Sequence, residues 1–291
     1  MAAPIVIIGM SRSGTTLVGR LLESQAGVHL ETEPHMLWKA GSFAHLADDT
    51  VEDDARAAAW IRHALLSAAG DRTLVEKSPV NCLRPELVHR VFPDARIVYV
   101  ERDAVRCIDS NYRRTLKQES LKPSIVIRKY LAPRRGADDF GAHLDATGGR
   151  SLRAQIRPRD WVPFVTYAAR LMWLRQRKGP LPFGPKTEGF ADIVRSRGPL
   201  AYHVEVYRIA RERKSRFEAL YGERLASFRL EALQSDPDEI ARLHAFCGFS
   251  VDRSKIDETI AGFDRDLVDA ASRAGPDDEE IHRLMTAQRV T

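Results

Sequence analysis

The chain opens on PIVIIGMSRSGTT, residues 4–16, and this stretch constrains the fold more than any other. PIVIIG is a continuous apolar run rich in β-branched side chains, as expected of a strand covered on both faces. It passes straight into GMSRSGTT, which has the G-x-x-x-x-G spacing of a phosphate-binding loop. From there the chain enters a segment, Thr15 to Ser24, whose Leu17, Val18, Leu21 and Leu22 share one helical face. A strand that turns through glycines into a helix turns the loop's N–H groups outward and makes an anion cradle. In nucleoside-triphosphate-binding loops a lysine follows the second glycine and reaches the terminal phosphates. Here that position is Thr15, and the nearest cation is Arg12, inside the loop. A threonine cannot supply the missing charge, which counts against ATP or GTP hydrolysis.

The alternation of strand and helix continues. VHLE (28–31), TLVEK (73–77) and ARIVYVERD (95–103) read as strands. Ala55 to Ala69, Arg84 to Phe92 and Ala104 to about Lys117 read as helices, the second stopping before Pro93. This order predicts an α/β fold, a parallel sheet with helices on both faces. Ligands of such sheets bind beyond the carboxyl ends of the strands. The glycine loop, Glu33, Lys77 and Arg102 each lie just after a predicted strand, so they are expected to converge. Further on, VPFVTYAARLMWLRQRK (162–178) and Tyr202 to Tyr221 read as helices, and LASFRLEAL as a strand entering a turn. Pro237 to Phe246 and Asp278 to Met285 read as helices. The turn-rich APRRGADDFGAHLDATGG (132–149) reads as a loop, and GPLPFGPKTEGF (179–190) is punctuated by proline and glycine. Residues 120–200 as a whole are expected to form a helical or irregular lid on the acceptor side. No composition break marks a second domain, so residues 1–291 are expected to form one.

VEKSP (75–79) and VYVERDAVRCIDS (98–110), taken with SRSGTT in this order and spacing, resemble the sulfotransferase family, in particular its bacterial and tyrosylprotein-sulfotransferase-like branch. The resemblance covers the first ~115 residues and resumes weakly at FRLEALQSDP (228–237), where Leu230 stands in place of the family's tyrosine, beside Glu231. It implies a P-loop-type fold and transfer of a sulfuryl group from 3′-phosphoadenosine-5′-phosphosulfate (PAPS) to an acceptor hydroxyl, releasing 3′,5′-ADP (PAP). By the same resemblance Ser11, Arg12, Ser13, Gly14, Thr15 and Thr16 cradle the 5′-phosphosulfate. Arg102 and Ser110, eight residues apart, bind the 3′-phosphate, while Arg12 and Lys77 neutralise the leaving group. HLETEPH (29–35) offers a base: Glu33 matches the family position, with His35 the alternative and Glu31 pointing elsewhere. Asn81 is a further candidate for the cleft wall, and Arg113 and Arg114 either extend the phosphate pocket or line an exposed helix face. No metal is expected, because these cations do the neutralising that magnesium does in kinases.

Two other classes remain open at this stage, a P-loop kinase or NTPase and a non-catalytic nucleotide-binding protein. A composition of 44% hydrophobic and 29% charged residues fits a globular protein, and no apolar run approaches the ~18 residues of a membrane span. Three widely spaced cysteines without a CxxC pair indicate neither a zinc site nor a disulfide framework, and a cytoplasmic location is expected. Between Arg113 and Lys178 there are 16 Lys/Arg against 5 Asp/Glu, a local charge of +11 in a chain of net +5. That block lacks a nucleic-acid-binding motif. It favours an anionic or glycosylated acceptor, drawn from carbohydrates, lipids or small metabolites.

Overall fold

A computed structural model of the chain describes residues 2–117, 155–178, 181–250, 256 and 277–287. Among these residues five strands form one parallel sheet in the order β2-β3-β1-β4-β5. They are β1 (Ile5–Gly9), β2 (Val28–Thr32), β3 (Thr73–Lys77), β4 (Arg96–Glu101) and β5 (Leu225–Arg229). The α/β fold with a parallel sheet is therefore observed. β1 lies between β3 and β4, so the chain reverses its direction of travel across the sheet there. A crevice opens at such a point beyond the strand ends, and the glycine loop leaves β1 into it.

The helices fall on both faces because the side chains of β1 alternate. Ile5 and Ile7 pack with Val18 and Leu22 of α1 (Thr15–Glu23), and with Ile240 and Leu243 of a helix near the C-terminus. Val6 and Ile8 face the opposite core, with Trp38 from the short α2 (His35–Trp38), Ile61 and Leu65 from α3 (Ala55–Ala69), and Val88 from α4 (Pro85–Val91). α5 (Ala104–Leu116) follows β4, with Asp103 capping its start through the Arg106 N–H. α6 (Trp161–Lys178), α7 (Phe190–Tyr221), α8 (Leu230–Ser235), α9 (Pro237–Cys247) and α10 (Asp278–Ala287) complete the described helices. The loop expected over 132–149 lies outside the described residues.

The structure differs from the sequence expectation in four places, one of them α8, a helix where LASFRLEAL was expected to end in a turn. A four-residue helix, α2, and a 3-10 turn over Pro79–Leu83 follow β2 and β3 where no element was expected. Both are too short to show a hydrophobic period. α7 begins at Phe190 rather than Tyr202, and a break at Gly198, φ 83°, precedes Pro199. Proline lacks the N–H that would continue the ladder, and the helix expected from Tyr202 lies wholly beyond it. Cys82, Cys107 and Cys247 are all buried free thiols.

β3 shows how side-chain alternation divides labour at the sheet's edge. Lys77 faces the site, whereas Glu76 is fully buried toward α2. Its Oε1 accepts from Trp38 Nε1 at 2.7 Å and from the Ser78 hydroxyl. Burial pushes this carboxyl up to about 7, against the opposing pull of those two hydrogen bonds. A folded-state value above the unfolded one means stability that is present below about pH 4.5 and lost as pH rises through about 7. Glu76→Gln has no such term. Thermal unfolding of both forms is expected to favour the variant by on the order of 2 kcal/mol more at pH 8 than at pH 5. An equal difference at the two pH values would contradict a protonated Glu76.

Candidate active site

The loop after β1 is shaped by close contacts. At Gly9 a Cβ would lie 2.5 Å from the Val100 carbonyl oxygen. At Gly14, φ +100°, it would lie 2.5 Å from Leu230 Cδ1. Both glycines are therefore sterically required, and Leu230 has a packing role where the family pattern has tyrosine. The Ser13 N–H donates to the Met10 carbonyl at 3.0 Å, and Val18 N–H to the Gly14 carbonyl at 3.2 Å. α5 pins the other side of the turn, since the Ser11 carbonyl accepts from Asn111 Nδ2 at 2.8 Å and from Cys107 Sγ at 3.3 Å. Burial pushes the Cys107 thiol up to about 12, so it acts here as a neutral donor.

Two cations meet at this loop. Arg12 Nε donates to Ser110 Oγ at 3.0 Å, and Arg102 donates from a terminal guanidinium nitrogen to the Arg12 carbonyl at 3.0 Å. Arg102 and Ser110, expected as a pair, are thus joined through Arg12. Asp103 caps α5 while its own N–H donates to Glu231 Oε1 at 3.0 Å, so Glu231 supports the start of that helix. Arg113 pairs with Asp109 on the helix surface, and Arg114 stacks 5.0 Å over the Phe183 ring.

On the other side of the crevice, Lys77 Nζ donates to Glu33 Oε1 at 2.6 Å and to Thr16 Oγ1 at 3.2 Å. The side chain of Lys77 is 3% exposed and that of Glu33 is 22%, so the carboxylate sits at the rim above a buried cation. His35 Nε2 lies 3.2 Å from Glu33 Oε2. Both candidate bases therefore occupy one cluster, with Glu33 between the histidine and the lysine. The Glu33 N–H donates to the Lys77 carbonyl at 2.8 Å, which extends the β2–β3 pairing one step past the strand. Glu31 points away and pairs with His29 at 3.4 Å. Asn81, a further candidate for the cleft wall, is fully buried on the 3-10 turn after β3.

The strained backbone positions are informative. Among the described residues, two non-glycine residues have positive φ, Arg12 at 73° and Glu33 at 49°. Such positions cost of order 1–3 kcal/mol and cluster at functional sites. The sequence had singled out both on other grounds.

One contact was not legible in the sequence. The segment after α6 returns to the glycine loop, where a Cβ on Gly184, φ +81°, would lie 3.1 Å from Ser11 Oγ. Phe183 N–H donates to Thr115 Oγ1 on α5 at 2.9 Å. Asp48 ties this segment to the chain beyond α2, accepting from Lys186 N–H at 2.8 Å and from Arg84 at 2.9 Å. Burial alone would push the Asp48 carboxyl up, but Arg84, Lys39 and Lys186 outweigh it and hold it below its ordinary value. The i, i+4 spacing of Cys107 and Asn111 on the helix after β4 was the one signal for the support beneath Ser11.

A glycine-loop cradle at the reversal point of a parallel sheet, flanked by Arg12, Lys77 and Arg102, has the layout of an anion-binding site in a P-loop-type fold. Residues 4–146, just under half of the chain, match the sulfotransferase family model. This stretch belongs to that family, as its motifs implied, and the protein is a transferase. Comparison with curated proteins returns no match. Among solved structures, mouse sulfotransferase SULT7A1 complexed with PAP is similar at 13% identity and TM-score 0.42, over 94% of this chain and 67% of that one. A sulfotransferase from Alicyclobacillus acidocaldarius is similar at 16% identity and TM-score 0.47, over 99% and 93% of the two chains. The sulfotransferase domain from the curacin biosynthetic pathway is similar at 16% identity and TM-score 0.47, over 100% and 99%. These likenesses assign no residue. Among the described residues no helix is long and apolar enough to cross a membrane.

The support beneath the loop can be tested directly. Asn111→Ala removes the donor to the Ser11 carbonyl, and urea unfolding is expected to show a loss of about 1–3 kcal/mol. Arg113→Ala, on the exposed face of the same helix, is expected to stay within about 0.5 kcal/mol of wild type. Equal losses would mean that Asn111 does not carry the loop.

Proposed function

We propose that the protein transfers the sulfuryl group of PAPS to an acceptor hydroxyl, releasing PAP. The observation that carries this reading is the Thr16–Lys77–Glu33–His35 chain standing across the crevice from Arg12, Ser110 and Arg102. The acceptor oxygen attacks sulfur in line, an O–S bond forms, and the bond from sulfur to the bridging phosphate oxygen breaks. Glu33 takes the acceptor proton, and negative charge builds on the leaving phosphate. Contacts that strengthen as that charge develops lower the barrier. Arg12, Lys77, Thr15, Thr16 and the N–H groups of residues 11–16 supply them. Arg102 and Ser110 recognise the 3′-phosphate, with Arg12 leaving Ser110 as the donor enters.

The acceptor class proposed is a hydroxyl-bearing carbohydrate, lipid or small metabolite, with an anionic one favoured by the +11 block of residues 113–178. Residues 1–291 act as one domain in this reading.

Calorimetric titration with PAP in the absence of metal is expected to show binding, with ATP plus magnesium much weaker. A preference for ATP with magnesium would overturn the reading. Glu33→Gln is expected to lower turnover by ~100-fold or more while PAP affinity is retained. Undiminished turnover would remove Glu33 as the base. Arg102→Ala is expected to weaken PAP far more than adenosine 5′-phosphosulfate, and equal losses would contradict the 3′-phosphate assignment.

A further inference from the structure

α6 is apolar on two opposite faces, and one of them has no protein against it among the described residues. Its inner face packs on the core through Tyr167, Leu171 and Leu174. Phe164 and Tyr167 meet the Phe43 ring edge-on, both at 5.7 Å between centroids. At 3.6 residues per turn, Val162, Val165, Ala169, Met172 and Trp173 fall within about 100° of one another on the other side. Among the described residues five large hydrophobic side chains are exposed, and four lie on this stripe: Val162 at 78%, Val165 at 60%, Trp173 at 54% and Met172 at 44%. An amphipathic surface helix would carry polar residues there. Such a concentration marks an interaction surface rather than the scattered apolar exposure of an ordinary exterior.

The charge pattern selects the partner. α6 carries four Lys/Arg and no Asp/Glu. The Arg177 guanidinium lies 5.9 Å over the exposed Trp173 ring, and Arg170 is exposed at the stripe's edge, reaching the Ala44 carbonyl at 2.7 Å. A symmetric pairing of two copies through this stripe would bring Arg170 and Arg177 of one copy against those of the other. A single convex helix face also offers no groove to enclose a partner's side chain. A fluid anionic surface meets both conditions, since acyl chains conform to the stripe while headgroups pair with the flanking arginines. A tryptophan beside cations suits that boundary.

We propose that the outer face of α6 docks the protein on anionic lipid bilayers, lying in the headgroup region with Val162, Val165, Met172 and Trp173 inserted. This inference does not depend on the transfer reaction. α6 packs on Phe43 and is tied to Ala44, in the chain that follows Glu33 and α2. Docking would therefore bring that side of the crevice near the membrane.

The test is sedimentation of the full chain with vesicles of phosphatidylcholine alone, and with roughly one third phosphatidylglycerol. Binding is expected for the anionic vesicles and should fall as salt rises. Val165→Glu with Trp173→Glu is expected to lower partitioning by roughly tenfold or more with an unchanged melting curve. Should that double variant melt lower, Val162→Glu alone, at the most exposed position, provides the same reading. Three results would overturn the proposal: wild-type protein that stays in the supernatant with anionic vesicles, a correctly folded variant that binds as well as wild type, or a concentration-dependent dimer that the substitutions abolish.

Discussion

The site is organised around one buried cation. Lys77 emerges at the end of β3 with its charge almost wholly out of water, met by Glu33 and the hydroxyl of Thr16. A buried charge that loses its partner is far costlier than the pair is stabilising, by about 3–5 kcal/mol. Lys77 therefore fixes where the chain beyond β2 can go, and the turn into α2 must deliver a carboxylate to that point. Glu33 does so at φ 49°, with its N–H held by the Lys77 carbonyl. The same two residues thus bond twice, once through backbone and once through side chains. That double tie explains how a strained backbone position persists so close to solvent. Glu33→Gln would strip Lys77 of its counter-charge as well as removing a base, which is why PAP affinity has to be read beside turnover.

The other wall of the crevice follows the same logic. Arg12 sits at φ 73° in the glycine loop, and its carbonyl is held by Arg102 while its side chain reaches Ser110. Beneath it, Asn111 and Cys107 hold the Ser11 carbonyl. The loop is therefore supported from α5 on one side and by Leu230 against Gly14 on the other. Residues far apart in the chain hold its N–H donors in place before any ligand arrives, which is the condition for electrostatic stabilisation without reorganisation.

The sheet was legible because parallel strands covered on both faces are written as unbroken apolar runs, and β1 and β4 are such runs. Glu33, Lys77 and Arg102 could be placed together from one rule, that strand ends in such sheets share an edge. What could not be read were contacts set by single turns and by chain closure. α2 has no period to detect in four residues. Gly184 lies more than 170 residues from the loop it touches, and no local pattern announces a contact at that distance. Asn81 reads as polar, yet on the 3-10 turn after Ser78 it is fully buried. Its neighbour Glu76 is likewise polar in sequence and fully buried in the fold, because the alternation that sends Lys77 to the crevice sends Glu76 behind it.

Charge balance across the crevice connects these parts to the proposed chemistry. Arg12, Arg102 and Lys77 bring three positive charges to within reach of one loop, and Glu33 pairs with Lys77. The loop's outward N–H groups and the start of α1 add further positive potential. An ATP-type loop places its cation after the second glycine and relies on magnesium for the rest. Here Thr15 fills that position, and the cations come instead from within the loop, from β3 and from the end of β4. They lie to either side of the loop instead of in line after it. A donor with one phosphosulfate in the loop and a separate phosphate at Arg102 and Ser110 matches that distribution better than a linear triphosphate does.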